Sequence, residues 1–370
     1  MAPKKTTKQN KKEVLAQTRK VKFNLEDIDI GYINAIRRTI ISNISCVAPS
    51  FDAYHPELND FTFIMNKTSL HNEFLGHRIA LVPMHFTIDE INNYDSKQFT
   101  FEINVHNTTN NTIDVTSKDI IIYDANGKQT DDAFRDRIFP PDPITKQYIL
   151  ITMLKPNAYN QSNGEQLHVK FSARTGVGKD NARWSTVSQC THFYNVDEVK
   201  SELARKDAGV KPETWNTLEK YKYFYTNDHG EPNNVSFIIE SINQSHDPFQ
   251  YWKIAIDILT AEIEELKKTR TQRVTFKKTQ HIDEVSIKNV DDTLGNLLHA
   301  VAYNEFYKSK TTNQLKYIGF YKTHPLESEL IFKIRFDTSQ DVHEFFEEWL
   351  SRTLEVLQPI TNAPNNVEYC

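Results

Sequence analysis

Apolar residues recur along this chain with two different periods, and the places where the period changes mark out its organisation. The first helical stretch is predicted from about Ile30 to Ser42. There Ile33, Ile36, Ile40 and Ile41 share one face, and Asp27 or Asp29 stands where a helix cap belongs. Arg37 and Arg38 sit mid-helix, so at least one of them must point sideways from the stripe. A longer helix is expected after Asp247, the residue read as its cap, with Pro248 in the first turn where a missing N–H costs nothing. Its residues Phe249, Trp252, Ile256, Leu259, Ile263 and Leu266 form a seam of the kind that packs along another long helix. A third helix follows Asp291 or Asp292 and carries Leu294, Leu297, Leu298 and Val301. The fourth runs from Asp341 to Leu357 with Val342, Phe345, Phe346, Trp349, Leu350 and Val356, and is expected to stop before Pro359.

Between these helices the period drops to two. From Cys46 to about Gly164 short alternating runs are separated by turn residues: 98–107, 118–128 ending in an Asn126-Gly127 turn, and 147–156. Pro140, Pro141 and Pro143 rule out a regular element where they stand. Residues 168–184 read as a strand followed by a Gly-rich loop, and strands are predicted at 235–242, 315–321 and 330–336. The polar, aromatic stretch 198–231 fits neither period. The whole is an α+β pattern in which two dissimilar segments, 70–83 and 291–300, each accompany an Asn-containing helix and a long striped helix. This predicts a duplicated scaffold folded back on itself.

Length and composition change that picture little. The chain has 370 residues, 38% hydrophobic and 25% charged, as in globular proteins with more than one core. Its net charge of -5 argues against a surface built mainly to grip a phosphate backbone. The exception is the N-terminus, where Lys4, Lys5, Lys8, Lys11, Lys12, Arg19, Lys20 and Lys22 crowd among polar residues. It reads first as a solvated, flexible tail, with nucleic-acid contact or a nuclear-import signal as the alternatives. Cys46, Cys190 and Cys370 are widely separated, which suits a reducing compartment and supplies neither a Cys-based zinc site nor a disulfide framework. No apolar run reaches the roughly 18 residues of a membrane span, and no secretory leader is expected.

Candidate chemistry is sparse. The Gly176-Val177-Gly178-Lys179 loop lacks the other residues of a phosphate cradle, with Ala173 where a glycine is needed and Asp180 where Ser or Thr should follow the lysine. His71 and His77 flank Glu73, but their spacing does not put both on one helical face as two zinc ligands require. His168 and His192 are isolated, and Glu264 and Glu265 read as a solvated helix face. No catalytic constellation emerges, so enzyme action by this chain alone is not expected.

Four motifs nevertheless agree with one family. LHNEFLGHRIALVP (70–83) closely resembles the L-x-x-E-F-x-x-H-R-x-x-L-x-P signature of the larger α-like subunit of cellular RNA polymerases, the archaeal D subunit and the third-largest subunit of RNA polymerase II. Asn34-Ala35-Ile36-Arg37-Arg38 is similar to that family's N-A-L-R-R helix. Residues 175–185 resemble its G-x-x-K-E-H-A-K-W loop, and 237–242 its F-x-V-E-S-V strand. In the C-terminal part, DDTLGNLLHA (291–300) and YKTHPLE (321–327) resemble the small α-like partner, archaeal L. The resemblance covers about 20–360.

What the resemblance implies is an intramolecular pseudo-dimer of two α-like dimerisation halves. Its parts would be a basic flexible tail at 1–19, a discontinuous larger half at 20–47 and 165–270, a mostly β insert domain at 48–164, a linker at 271–280 and an L-type half at 281–370. The halves would pair through Ile33, Asn34, Ile36 and Ile40 on one side and Leu294, Gly295, Asn296, Leu297 and Leu298 on the other. Large-subunit docking would fall to Arg37, Arg38, Glu73, Phe74, His77, Arg78, Lys179, Asp180 and Trp184. The partners implied are the two largest polymerase subunits and small zinc-binding subunits, with DNA reached only through the complex and no membrane contact. No cofactor is expected in this chain, since the family's Cys ligands for zinc or an iron–sulfur cluster are missing and the active-site magnesium belongs to the largest subunit. Cellular relatives keep the two α-like partners as separate chains. Their fusion resembles the polymerases of some large DNA viruses, which would place the protein in host cytoplasm or nucleus, with packaging in the virion as a further option. Two rivals stand beside this reading: a free-standing transcription regulator using its basic N-terminus, and a hydrolase built on His71, Glu73 and His77.

Overall fold

The computed structural model describes residues 19–157, 163–279, 282–308, 315–337 and 340–370. Apart from Arg19, the expected basic tail lies outside the described residues. The architecture is α+β, divided into two compact units that the chain crosses repeatedly.

The first unit comprises Ile44–Ser188 and Ser241–Asp247, with Arg19. Its centre is a four-stranded antiparallel sheet in the order Phe61–Asn66, Gln166–Phe171, Phe99–His106, Ile120–Asp124. Along Phe99–His106, Phe101 and Ile103 turn into the core beside their ladder partners Phe171 and Val169, while Glu102 between them is buried as well. The region 46–164 carries the expected strands, but three helices interrupt it: Asn72–Ala80, Ile88–Asn92 and Asp132–Ile138. The latter two have clear local causes, since Thr87 and Glu90 make a capping box and Asp131 accepts from the Phe134 N–H. The Ser241–Asp247 segment is held by Asn243, which donates to Phe86 O at 2.8 Å, and by the Gln244 N–H, which donates to His85 Nδ1 at 2.7 Å. Burial pushes the His85 pKa down to about 3, which keeps that nitrogen an acceptor.

The second unit comprises Lys20–Asn43, Gln189–Glu240 and Pro248–Cys370. Its elements in chain order are β1 (Lys20–Glu26), α1 (Ile30–Ser42), β2 (Val187–Tyr194), α2 (Glu198–Ala208), β3 (Asn234–Ser241), α3 (Gln250–Lys268), β4 (Val274–Lys278), β5 (Asp283–Lys288), α4 (Asp292–Val301), β6 (Leu315–Tyr321), β7 (Glu329–Phe336), α5 (Val342–Ile360) and β8 (Asn365–Tyr369). They form two four-stranded sheets, β2-β3-β1-β8 and β4-β5-β7-β6. The helices α1, α3, α4 and α5 pack on one another in a closed circuit, α1 against α3 and α4, α5 against α3 and α4. Each long helix lays a tryptophan on one sheet. Trp252 of α3 meets Phe23 and Phe237 edge-on, and Trp349 of α5 meets Phe332 in the same way.

Several expectations are corrected here. Helix α3 begins at Gln250 with Phe249 at its cap and no side-chain cap bond, because the chain first makes a tight turn in which Tyr251 N–H reaches Pro248 O. The stretch read as a linker at 271–280 contains strand β4, whose Phe276 and Lys277 pair with Val285 and Glu284 of β5. Pro359 lies inside the last turn of α5 rather than beyond it, where the forgone N–H costs a single bond near the helix end. The unassigned stretch 198–231 holds α2, whose one buried side chain is Ser201, and a turn that buries Trp215. Weak amphipathicity explains why its period was illegible.

Candidate functional site

The residues expected to pair the two halves lie on α1 and α4 of the second unit, and these helices are in contact. Asp29 caps α1, accepting the Gly31 N–H at 2.6 Å, while Asp291 caps α4 by accepting from Thr293 and Leu294. Caps at those positions phase both helices so that Ile33, Ile36 and Ile40 on α1 and Leu294, Gly295, Leu297 and Leu298 on α4 are buried. Asn34 is half-buried and its Oδ1 accepts two bonds from the Arg37 guanidinium, at 3.0 and 2.9 Å. Asn296 is exposed and donates to Asp292 O within its own helix.

Polar contacts of α1 with α4 and with the helical segment Ala302–Lys308 that follows it were not legible in either segment alone. Arg38 is exposed, yet its Nε donates to the buried Thr293 Oγ1 at 3.0 Å. The second oxygen of Asp29 accepts from Asn304 Nδ2 at 2.9 Å, and the same amide lies 3.2 Å from the Tyr32 hydroxyl. Burial raises the Tyr32 pKa well above the ordinary phenol range, so it stays neutral. Gly31 leaves room for α4, since a Cβ there would stand 2.9 Å from Ala300 Cβ.

The remaining candidates belong to the first unit. Glu73, Phe74, His77 and Arg78 share the helix Asn72–Ala80, whose opposite face buries Leu75 and Ile79. Phe74 is 58% exposed, and its ring lies 4.4 Å from that of His71. His77 is exposed and meets Phe51 edge-on. Arg78 is committed within the unit, donating to Ile151 O at 2.8 Å and Leu150 O at 3.1 Å. Lys179 and Asp180 are exposed in the turn after Arg174–Val177. Trp184 is half-buried, with Nε1 donating to Arg174 O at 3.3 Å and its ring directly over Gly176. A Cβ on Gly176 would stand 2.3 Å from the indole. That glycine is a seat for the tryptophan, which accounts for the Gly-rich loop without any phosphate.

The chemistry available is that of contact surfaces. Among the described residues no group of three or more His, Cys, Asp or Glu is placed to hold a metal ion. Burial pushes the Cys46 thiol up to about 11 and the Cys190 thiol to about 12, so neither is a ready nucleophile. No helix among the described residues is long and apolar enough to cross a membrane.

Comparison with known proteins gives the same direction. No family model matches the chain. It is 28% identical over 194 residues to "DNA-directed RNA polymerases IV and V subunit 3B" of Arabidopsis thaliana, covering 49% of this chain and 55% of the relative. It is 27% identical over 230 residues to a "Conjugation stage-specific protein" of Tetrahymena thermophila, covering 54% of this chain and 69% of the relative. Against "DNA-directed RNA polymerase subunit Rpo3" of Pyrobaculum aerophilum the identity is 24% over 189 residues, 50% of this chain and 63% of the relative. The chain thus spans little more than half the length of the first curated relatives it matches. Over about half of its own length, this chain is homologous to the subunit 3-type, α-like subunits of DNA-directed RNA polymerases.

Proposed function

We propose that this chain is a non-catalytic assembly subunit of a multisubunit DNA-directed RNA polymerase, in which a subunit 3-type part and a small α-like part are joined and pair with each other. The observation that carries the reading is the packing of α1 on α4, with the motif residues Ile33, Ile36, Leu294, Leu297 and Leu298 buried and Arg38 bonded to Thr293. A subunit built to be a platform needs its own pairing face satisfied before it presents anything outward. Homology to subunit 3-type chains supports the first part, and the 291–300 and 321–327 motifs support the second.

On this reading the two catalytic large subunits dock on the chain, with small zinc-binding subunits alongside and DNA reached only through the complex. Arg37, Arg38, Glu73, Phe74, His77, Arg78, Lys179, Asp180 and Trp184 remain the proposed docking set. Arg37 in the second unit and Arg78 and Trp184 in the first are each held by bonds within their own unit, and the exposed Phe74 ring is the best apolar anchor in the first unit. The likeness of such a proposed fusion to the polymerases of some large DNA viruses supports a viral source, and the homology to polymerase subunits supports an intracellular site of action.

Co-expression with the two largest polymerase subunits of the same source tests the proposal. The three chains should copurify in equal amounts, and Phe74→Ala should weaken recovery without changing the melting temperature. A chain that elutes alone and instead binds DNA with a steep salt dependence would replace this reading with that of a free-standing regulator.

A further inference from the structure

The sheet β4-β5-β7-β6 buries one face and leaves the other open. Ile318 of β6 and Leu330, Phe332 and Ile334 of β7 are buried, with Phe332 against Trp349 of α5. Alternation therefore sends Tyr317, Gly319 and Tyr321 of β6, and Ile331, Lys333 and Arg335 of β7, to the opposite face. The ladder sets Tyr317 opposite Arg335, Gly319 opposite Lys333 and Tyr321 opposite Ile331.

Two aromatic rings stay out of the core on that face. Tyr317 is 50% exposed and Tyr321 41%. The glycine between them makes room for one of the rings: a Cβ on Gly319 would stand 2.7 Å from the Tyr317 hydroxyl oxygen and 3.2 Å from its Cζ. Tyr317 thus leans along the strand, its tip over Gly319, with about half of its surface open to solvent. Lys333 Nζ lies 4.9 Å from the centre of the Tyr321 ring. Arg335 is exposed and makes no ion pair among the described residues. Farther across the face, Lys277 stands opposite Glu284 and Lys288 opposite Glu329. Glu284 reaches Lys277 and Lys333 only at 3.8 and 3.9 Å, contacts that exposed side chains hold weakly. Lys277, Lys288, Lys333 and Arg335 outnumber the two carboxylates, so the face is locally positive on a chain of net charge -5.

We propose that Tyr317 and Tyr321 form a stacking platform for single-stranded nucleic acid, with Lys333 and Arg335 beside them to meet its phosphates. Unpaired bases lie flat on exposed rings, and the backbone between them needs a cation within reach; the open face of this sheet offers both on neighbouring strands. A duplex fits poorly, because its bases are already stacked on one another and the strip of cations is short. An apolar protein surface fits poorly as well, since covering this face would strip water from Lys333 and Arg335 without an answering charge. The contact goes beyond the indirect one with DNA expected of an assembled complex, and it is separate from the large-subunit docking set.

Fluorescence anisotropy of labelled oligouridylate and oligothymidylate, titrated with the full chain at low salt, tests the platform. At least one of the two should bind saturably, the tighter identifying RNA or DNA as the strand held, and a duplex should not displace it. Tyr317→Ala and Tyr321→Ala should each weaken binding about tenfold at an unchanged melting temperature, while phenylalanine at either position should preserve it. Gly319→Ala should weaken binding with both rings still present, because its methyl group takes the place of the Tyr317 tip. Arg335→Gln should lower the log–log salt slope by about 0.7, the share of one phosphate contact on a single strand. The same dependence on the tyrosines should persist in a chain whose Lys4, Lys5, Lys8, Lys11 and Lys12 are replaced by glutamine. Absence of saturable binding, full binding by the alanine variants, equal displacement by duplex or by polyglutamate, or loss of binding with the N-terminal lysines would each overturn the proposal. Copurification with the large subunits is a separate readout, so failure here leaves the assembly reading standing.

Discussion

Trp252 and Trp349 each pack on a four-stranded sheet, edge-on to its phenylalanines, with the indole N–H donating to a helix carbonyl, Ile360 O at 3.2 Å and Leu298 O at 2.8 Å respectively. The sheets beneath them are assembled differently. That under Trp349 comes from one stretch of chain, 274–336, whereas that under Trp252 joins Phe23 to Phe237 across more than half the sequence. Equal packing thus rests on unequal chain closure. Local closure costs less entropy and is available earlier in folding.

The strongest way to break this comparison is to remove the indoles. Trp252→Ala and Trp349→Ala should each destabilise the protein by about 3–5 kcal/mol, read by urea unfolding. Their kinetics should differ: Trp349→Ala should chiefly slow refolding, and Trp252→Ala should chiefly speed unfolding. Identical effects on both rates would show that closure distance does not order the two layers.

Glycines sharpen the comparison at the helix contacts. A Cβ on Gly295 would stand 2.4 Å from Leu330 Cδ1 under the local sheet, while one on Gly31 would meet Ala300 Cβ and Asp29 Oδ1 at 2.9 and 2.8 Å. Both alanine substitutions should cost about 1–3 kcal/mol, with Gly295→Ala the larger because its neighbour is locked in the core. Thermal melts that rank them the other way would place the tighter contact at the α1–α4 seam.

Replacing each indole by phenylalanine isolates its hydrogen bond. Leu298 O still accepts from Ala302 N–H and Ile360 O from Ala363 N–H, so neither carbonyl is orphaned. Each change should cost about 0.5–1.5 kcal/mol beyond the lost ring area, with Trp349→Phe at the upper end since its bond is shorter. The smallest effect belongs to Arg38→Ala. Loss of an exposed guanidinium bonded to Thr293 should lower stability by about 0.5–1 kcal/mol in a melt. If recovery of a large subunit falls far more than this loss of stability accounts for, Arg38 acts in docking as well as in the seam.

The candidate site was legible to different depths. Ile33, Ile36 and Ile40, and Leu294, Leu297 and Leu298, announced their burial through spacing, whereas each cap was legible only as a choice between neighbours, Asp27 or Asp29 and Asp291 or Asp292, which the structure resolves to Asp29 and Asp291. The Arg37–Asn34 bond lies within one helix at a separation of three and could have been read from it. Arg78 is different. Its partners are carbonyls of a strand 72 and 73 residues onward, and nothing in LHNEFLGHR distinguishes a committed guanidinium from a free one. Gly176 invited a phosphate reading because a glycine's purpose depends on what approaches it, here an indole eight residues later. Strand β4 was hidden by its lysines, which its pairing with Asp283 and Glu284 makes acceptable.

Local chemistry by itself determined where α1, α4 and α5 start to within a residue or two, which faces α1, α3, α4 and α5 bury and that β3, β6 and β7 are strands, because caps and periods act over one or two turns of chain. That α1 meets α4 was implied by the family resemblance and by no local pattern, and only the tertiary structure decided that Arg38 finds Thr293 at a separation of 255 residues and that Asn365–Tyr369 covers the edge of β1. An apolar stripe or an open strand edge demands a partner, but its pattern is satisfied equally well by many. The choice among them belongs to the chain's long-range closure and to the fit of the surfaces that it brings together.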